Sequence, residues 1–239
     1  MATYFISDLH LSETKPHLSA LFLKFLRQDA KKADALYILG DLFEAWLGDD
    51  NADPDNISII NALAEFSETG IPVYFMHGNR DFLIGDRFTV ESHCELLQDP
   101  VVVELYNTPV LLTHGDLLCT LDHKYQRFRK FVRHPLIKKL FFSFPLCWRK
   151  KISSFLRKKS TRADKKLANR KWDVTSEAVY QILREHKSLT LIHGHTHKPG
   201  IHHFILDNQP AKRIVLGDWG ETGSVLIYSP ENLELKTVI

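Results

Sequence analysis

Five short polar clusters in this chain each stand directly behind a short apolar run, an arrangement that narrows the possible folds sharply. The runs are residues 4–6, 36–39, 73–76, 110–112 and 189–192. Behind them come Asp8-Leu9-His10, Gly40-Asp41, Gly78-Asn79-Arg80-Asp81, His114-Gly115-Asp116 and His193-Gly194-His195-Thr196-His197. Runs this short and rich in β-branched or aromatic residues read as buried strands. Ligands of open α/β sheets bind beyond the carboxyl ends of the strands, so clusters spread from residue 8 to residue 197 can converge on one cleft.

The surrounding pattern supports a layered α/β fold. Helical spacing at residues 17–31, 55–68 and 85–92 alternates with the first three strands, and further short strands are expected at 95–97, 101–105 and 110–113. An amphipathic helix is expected at 173–185, then strands at 189–192, 201–204, 213–216, 225–228 and 233–238. Residues 122–170 break this alternation. They combine Phe128, Phe131, Phe141, Phe142, Phe144, Trp148 and Phe155 with many bases, punctuated by Pro135 and Pro145, and read as a helical lid inserted into one domain spanning residues 1–239.

Charge sets the lid apart. The net charge is only +2, yet residues 124–171 hold 18 Lys and Arg against one acid, Asp164, while the rest holds 13 bases and 28 acids. A segment so basic usually marks an anionic partner, although any single base is more often simply solvated. With 239 residues and 44% hydrophobic content, the chain can bury a sizeable core. Three cysteines without close spacing and an N-terminus lacking a signal-peptide layout point to a reducing cytoplasm. Nor does any apolar stretch reach the ~20 residues of a membrane-spanning helix.

Taken singly, Asp8-x-His10 serves as readily to cap a turn as to bind a metal. Joined, the clusters offer carboxylate, carboxamide and imidazole donors without thiolate, a set suited to Mn²⁺, Fe²⁺ or Zn²⁺. Two such ions ~3.5–4 Å apart can clamp the attacking and leaving oxygens of a phosphoryl displacement. The chemistry expected is metal-assisted phosphoester hydrolysis.

In order and spacing, Asp8-x-His10, Gly40-Asp41, Gly78-Asn79, His114 and Gly194-His195-x-His197 resemble the signature of the calcineurin-like metallophosphoesterases. The resemblance implies an α/β/β/α sandwich and two divalent ions, usually Mn²⁺. It places Asp8, His10, Asp41 and His197 on one ion and Asp41, Asn79, His114 and His195 on the other, with Asp41 bridging. Asn79, Arg80 and His195 are then the residues acting on the phosphate. The family's general pattern has histidine where this chain has Arg80. A guanidinium stays charged and grips phosphate oxygens in a planar fork, which favours charge stabilisation over proton transfer.

The longer strings around these motifs, from Phe5 to Leu11, Tyr37 to Trp46, His77 to Leu83 and Ile192 to His197, are similar to the branch of that family acting on UDP-2,3-diacylglucosamine in lipid A biosynthesis. The likeness implies attack of metal-held hydroxide on the α-phosphorus, giving UMP and 2,3-diacylglucosamine 1-phosphate, at the cytoplasmic face of the bacterial inner membrane. No nucleic acid or obligate protein partner is implied. Substrate contacts are implied for Asn79, Arg80, Asp122, Ser160 and His195. In the two lid slots that follow, this chain has Asp164 and Leu167 where an amide and a lysine belong, so Lys166 is the nearest base to take over. Aromatics in the lid suit acyl chains, and its bases suit phosphates or an anionic membrane. The rival readings are a nuclease or phosphodiesterase with a basic lid on nucleic acid, and a scaffold that has lost its metals. Against the second, every ligand position holds a competent side chain.

Overall fold

The computed structural model describes residues 2–50, 54–166 and 173–238, with side chains described outside 157–166. The first strands and helices alternate as β1 (Thr3–Ile6), α1 (Pro16–Gln28), β2 (Ala35–Ile38), α2 (Pro54–Ser67), β3 (Val73–Met76) and α3 (Asp86–Ser92). Three short strands follow, β4 (Glu95–Leu97), β5 (Val101–Leu105) and β6 (Thr108–Thr113). After them come the lid helices α4 (His123–Val132), α5 (Pro135–Phe142) and α6 (Leu146–Lys166), then α7 (Ser176–Glu185). Strands β7 (Thr190–His193), β8 (Gly200–Leu206), β9 (Gln209–Val215), β10 (Gly223–Tyr228) and β11 (Leu233–Val238) complete the chain.

Two sheets form, one in the order β11-β10-β1-β2-β3-β4 and the other β5-β6-β7-β9-β8. Alternation along each strand divides its side chains between two cores. Ile6, Leu36, Ile38, Val73 and Phe75 pack against α1, α2 and α3 through Phe22, Phe25, Ile59, Leu63 and Phe88. From the opposite face of the same strands, Phe5, Tyr37, Leu39 and Met76 meet Val110, Leu112, Ile192 and Ile214 of the second sheet. Phe5 stacks on Tyr37 at 4.9 Å and Tyr37 on Tyr74 at 4.5 Å, a ladder that follows the register of β1, β2 and β3. Leu111 and Leu191 face outward onto Val179, Ile182 and Leu183 of α7. The result is the α/β/β/α sandwich expected.

Parallel pairing decides where the polar clusters go. Strands β1, β2 and β3 run parallel, as do β6, β7 and β9, so the segments leaving their carboxyl ends emerge together. Hydrogen bonds tie these exits across strands: Asp8 N donates to Gly40 O at 3.1 Å, His10 N to Asp41 O at 3.0 Å, and Gly194 N to His114 O at 2.9 Å.

Several boundaries differ from the sequence reading for local reasons. Helix α7 begins at Ser176 rather than residue 173 because Thr175 caps it, its hydroxyl accepting from Ala178 N. The last two hairpin strands before β10 are longer than expected, because Asp207 and Asn208 both adopt positive φ and close β8 onto β9 in a two-residue turn.

The lid leaves the sheet after β6 and returns to it at β7, the neighbour of β6. Asp122 caps α4 by accepting from Tyr125 N at 2.9 Å, and Pro135 starts α5. Neither α4 nor α5 has a fully buried residue; Phe131, Leu136, Leu140, Trp148 and Phe155 are each more than half exposed. Among the described residues no helix is long and apolar enough to cross a membrane.

Candidate metal centre

The segments carrying the proposed ligands are held in a backbone conformation that L residues avoid. Asp8, His10, Asp41, His195 and His197 all have positive φ, between 50° and 68°. Each such residue costs ~1–3 kcal/mol and persists only where its surroundings over-determine it. Two glycines permit the crowding beneath them. At Gly40, with φ +87°, an added Cβ would lie 2.6 Å from Gly78 and 2.7 Å from His114 Nδ1, and at Gly78 it would collide with the Asp41 carboxylate. The tight glycines therefore let three strand exits bring their side chains to one point.

Two groups of ligand atoms result, Asp8, His10 and His197 in one and Asp8, Asp41 and His114 in the other, with the atoms of each group within 4.8 Å of one another. Asp8 Oδ2 accepts from Ser7 Oγ at 2.6 Å and from His195 N at 2.8 Å, which leaves Oδ1 facing His197 Nε2 at 3.3 Å. Asp8 is common to both groups, and Asp41 faces a histidine of each: Oδ2 lies 4.0 Å from His10 Nδ1 and Oδ1 3.8 Å from His114 Nε2. His114 Nδ1 donates to Leu39 O at 2.9 Å, and Nε2 then confronts Asn79 Oδ1 at 3.0 Å. His195 enters by its ring, 5.1 Å from that of His114.

A cation suits this arrangement. Asp8 Oδ1 and His10 Nδ1 are buried without a hydrogen-bond partner, a condition that is costly unless something else satisfies them. The opposed acceptors of His114 and Asn79 likewise call for a cation or a proton between them. Burial and the neighbouring Asp81 and Asp8 charges push Asp41 up to about 8, despite the opposing pull of His114. Burial works against protonation of His114, but Asp41, Asp8 and Asp116 raise it to about 9. In Asp8, burial is outweighed by His197 and His114, which hold the carboxyl well below its usual range. Burial lowers His10 and His195 to about 4, keeping both imidazoles neutral and able to donate a lone pair. Carboxylate, imidazole and carboxamide donors fit divalent ions of the Mn²⁺, Fe²⁺ and Zn²⁺ type.

Residues 1–199 match the calcineurin-like phosphoesterase family. The chain belongs to that family. It is 52% identical over 229 residues to UDP-2,3-diacylglucosamine hydrolase of Coxiella burnetii, covering 96% of this chain and 94% of the relative. Proteins of the same name from Aeromonas hydrophila and Escherichia coli O7:K1 are 49% and 47% identical, over 99% and 98% of this chain and 98% of each relative. An archaeal phosphodiesterase of known structure shares the fold, with a TM-score of 0.50, 13% identity and coverage of 100% of this chain and 99% of that one.

Around the centre of this phosphoesterase lie residues that the sequence motifs left out. His197 Nδ1 is 3.2 Å from Asp218 Oδ2, which orients its Nε2 toward Asp8. The signal was present: Leu216-Gly217-Asp218 at the end of β9 repeats the pattern of Leu39-Gly40-Asp41. Glu44 stands between His10 Nδ1 at 3.7 Å and Arg80 at 3.5 Å. Two further carboxylates of the polar clusters, Asp81 and Asp116, brace the surroundings rather than the imidazoles. Asp81 accepts backbone N–H groups of Asp41, Leu42 and Gly78, joining the exits of β2 and β3. Asp116 accepts from Tyr125 Oη at 2.6 Å and Arg129 Nε at 2.8 Å, and so holds the lid.

Of the expected substrate contacts, Asn79 and His195 lie in the centre, Arg80 stands at its edge with a partly exposed side chain, and Asp122 Oδ1 is engaged as a helix cap. Ser160, Asp164 and Lys166 lie outside the residues whose side chains are described.

Metal uptake should tighten as pH rises from 6.5 to 8.5, because ligation requires Asp41 to ionise and His114 Nε2 to lose its proton. Calorimetric Mn²⁺ titrations in buffers of different ionisation heat should show proton release; pH-independent affinity contradicts it. Asp218→Asn should weaken uptake of one ion by roughly 10- to 100-fold with little loss of thermal stability, measured by equilibrium dialysis and thermal melts.

Proposed function

We propose that this phosphoesterase hydrolyses the pyrophosphate of UDP-2,3-diacylglucosamine to UMP and 2,3-diacylglucosamine 1-phosphate, a step of lipid A biosynthesis. The observation that carries this reading is the 47–52% identity to hydrolases of that name along almost the whole chain, the lid included. Residues 1–239 act as one catalytic unit in this reading, with residues 122–170 as its lid.

Asp8, His10, Asp41 and His197 would hold one divalent ion, and Asp41, Asn79, His114 and His195 the other, with Mn²⁺ as the proposed metal. When bound, such ions supply Lewis-acid charge at the phosphoryl oxygens and make water a stronger nucleophile near neutral pH. The chain's own residues do the rest. Arg80 provides a planar set of donors that match developing charge on the α-phosphate. Its partner Glu44 holds the guanidinium at the rim of the centre. His195, lowered to about 4, remains neutral and acts through its lone pair rather than as a proton donor.

The exposed apolar residues of α4, α5 and α6 give acyl chains a place to pack, and nearby lysines suit phosphate headgroups. We therefore place the protein peripherally on the cytoplasmic face of the inner membrane.

With Mn²⁺ and UDP-2,3-diacylglucosamine the purified protein should release UMP, and Asp41→Ala should lower the rate by at least ~10³-fold while the circular dichroism spectrum is retained. Cleavage of DNA with no release of UMP would overturn the substrate in favour of a nuclease. In flotation assays the protein should rise with anionic vesicles at low salt and release as salt increases, and failure to rise rejects the peripheral location.

A further inference from the structure

The lid is fastened to the segment that supplies Asn79 and Arg80, and one residue makes the connection on both sides. Arg133, in the turn after α4, donates from Nη2 to Gly78 O at 2.9 Å, immediately before Asn79. Its guanidinium also lies over the Phe82 ring, 5.8 Å from the centroid, on the other side of the Asn79-Arg80-Asp81 stretch. Two carboxylates hold the guanidinium in place, Asp116 Oδ2 at 3.5 Å and Asp99 Oδ2 at 3.9 Å, and the side chain is only 21% exposed. These commitments leave Arg133 poorly placed as a ligand for substrate phosphate, the role that its basic surroundings suggest.

We propose that Arg133 is a positioning residue through which the lid fixes the segment carrying Asn79 and Arg80, so that one of the two metal positions is completed only when the lid is seated. The inference rests on the reading of Asn79 as a ligand of the second ion. A planar fork with five donors can serve a carbonyl, two carboxylates and a ring face together, whereas lysine can reproduce only part of that set. The rest of the segment is held from the sheet side, Arg80 N by Asp41 Oδ1 at 2.8 Å and Arg80 O by Trp46 N at 3.1 Å. Gly78 N keeps Asp81 Oδ1 at 2.8 Å, so loss of Arg133 frees the Gly78 carbonyl and with it Asn79, while Asp8, His10 and His197 keep their supports.

The test is Mn²⁺ binding to the full chain without substrate, followed by the electron paramagnetic resonance of free ion, for wild type, Arg133→Met and Arg133→Lys. Two ions are expected on wild type. In Arg133→Met the weaker site should lose roughly 10- to 100-fold in affinity with the tighter site unchanged, and Arg133→Lys should recover part of the loss. In turnover, kcat should fall by more than KM rises. Unchanged affinities, or equal weakening of both ions, overturn the proposal while leaving the two-ion reading intact. A wild-type chain that takes up a single ion overturns both. If circular dichroism shows that Arg133→Met does not fold, Arg133→Lys decides by the same criterion: selective weakening of one ion supports the role, and unchanged or equal affinities reject it.

Discussion

Two carboxylates, Asp8 and Asp41, are held almost wholly out of water with ligand atoms within 4.8 Å of each other and of His114. Like charges at that distance repel strongly in a medium of low dielectric, and each also loses its hydration. Much of the surrounding structure offsets this. Ser7 Oγ and the amide of His195 donate to Asp8, the amide of Arg80 donates to Asp41, and His114 stands beside both. Divalent ions would complete the compensation, and Asp8 Oδ1 and His10 Nδ1, buried without a hydrogen-bond partner, are open to one. The positive φ angles of five proposed ligands show that the backbone, too, is bent to this purpose.

A second layer of charge connects that centre to the lid. Arg129 and Arg133 pair with Asp99 and Asp116, while Arg149, nearly buried, binds Asp50 and donates to Leu47 O at 2.6 Å. Buried charges of this kind are tolerated only when paired, so the lid is anchored at α4 and again at α6 rather than draped over the sheet. Many of its apolar side chains do the opposite and face outward, Phe131 and Phe155 among them, while Phe141 packs against the first core. One segment thus divides its residues between an internal brace and an external apolar surface, and this division explains how a basic, aromatic insertion can sit beside a metal centre without collapsing onto it.

Much of this was legible in the chain. Apolar runs ending in Asp8, Asp41, Asn79, His114 and His195 specify both strands and candidate ligands, because a strand that must be buried on two faces has to be apolar and a ligand segment has to leave its end. Tyr37 illustrates the limit. Its alternation with Leu36 and Ile38 predicts that it faces away from them, but its stacking on Phe5 and Tyr74 depends on strand order. Asp218 was missed although it follows the Gly-Asp pattern of Asp41, because nothing local says that β9 lies next to β7.

What the sequence determined by itself was the chemistry: donor types without thiolate, an arginine in place of a histidine at position 80, and a lid set apart by charge. These depend on residue identity and spacing along the chain. Tertiary structure decided the use to which each charge is put. Asp81 gathers backbone amides, Asp116 holds Tyr125 and Arg129, and Arg133 reaches Gly78, since such pairings join residues up to 55 positions apart and follow from how the strands and the lid are packed together.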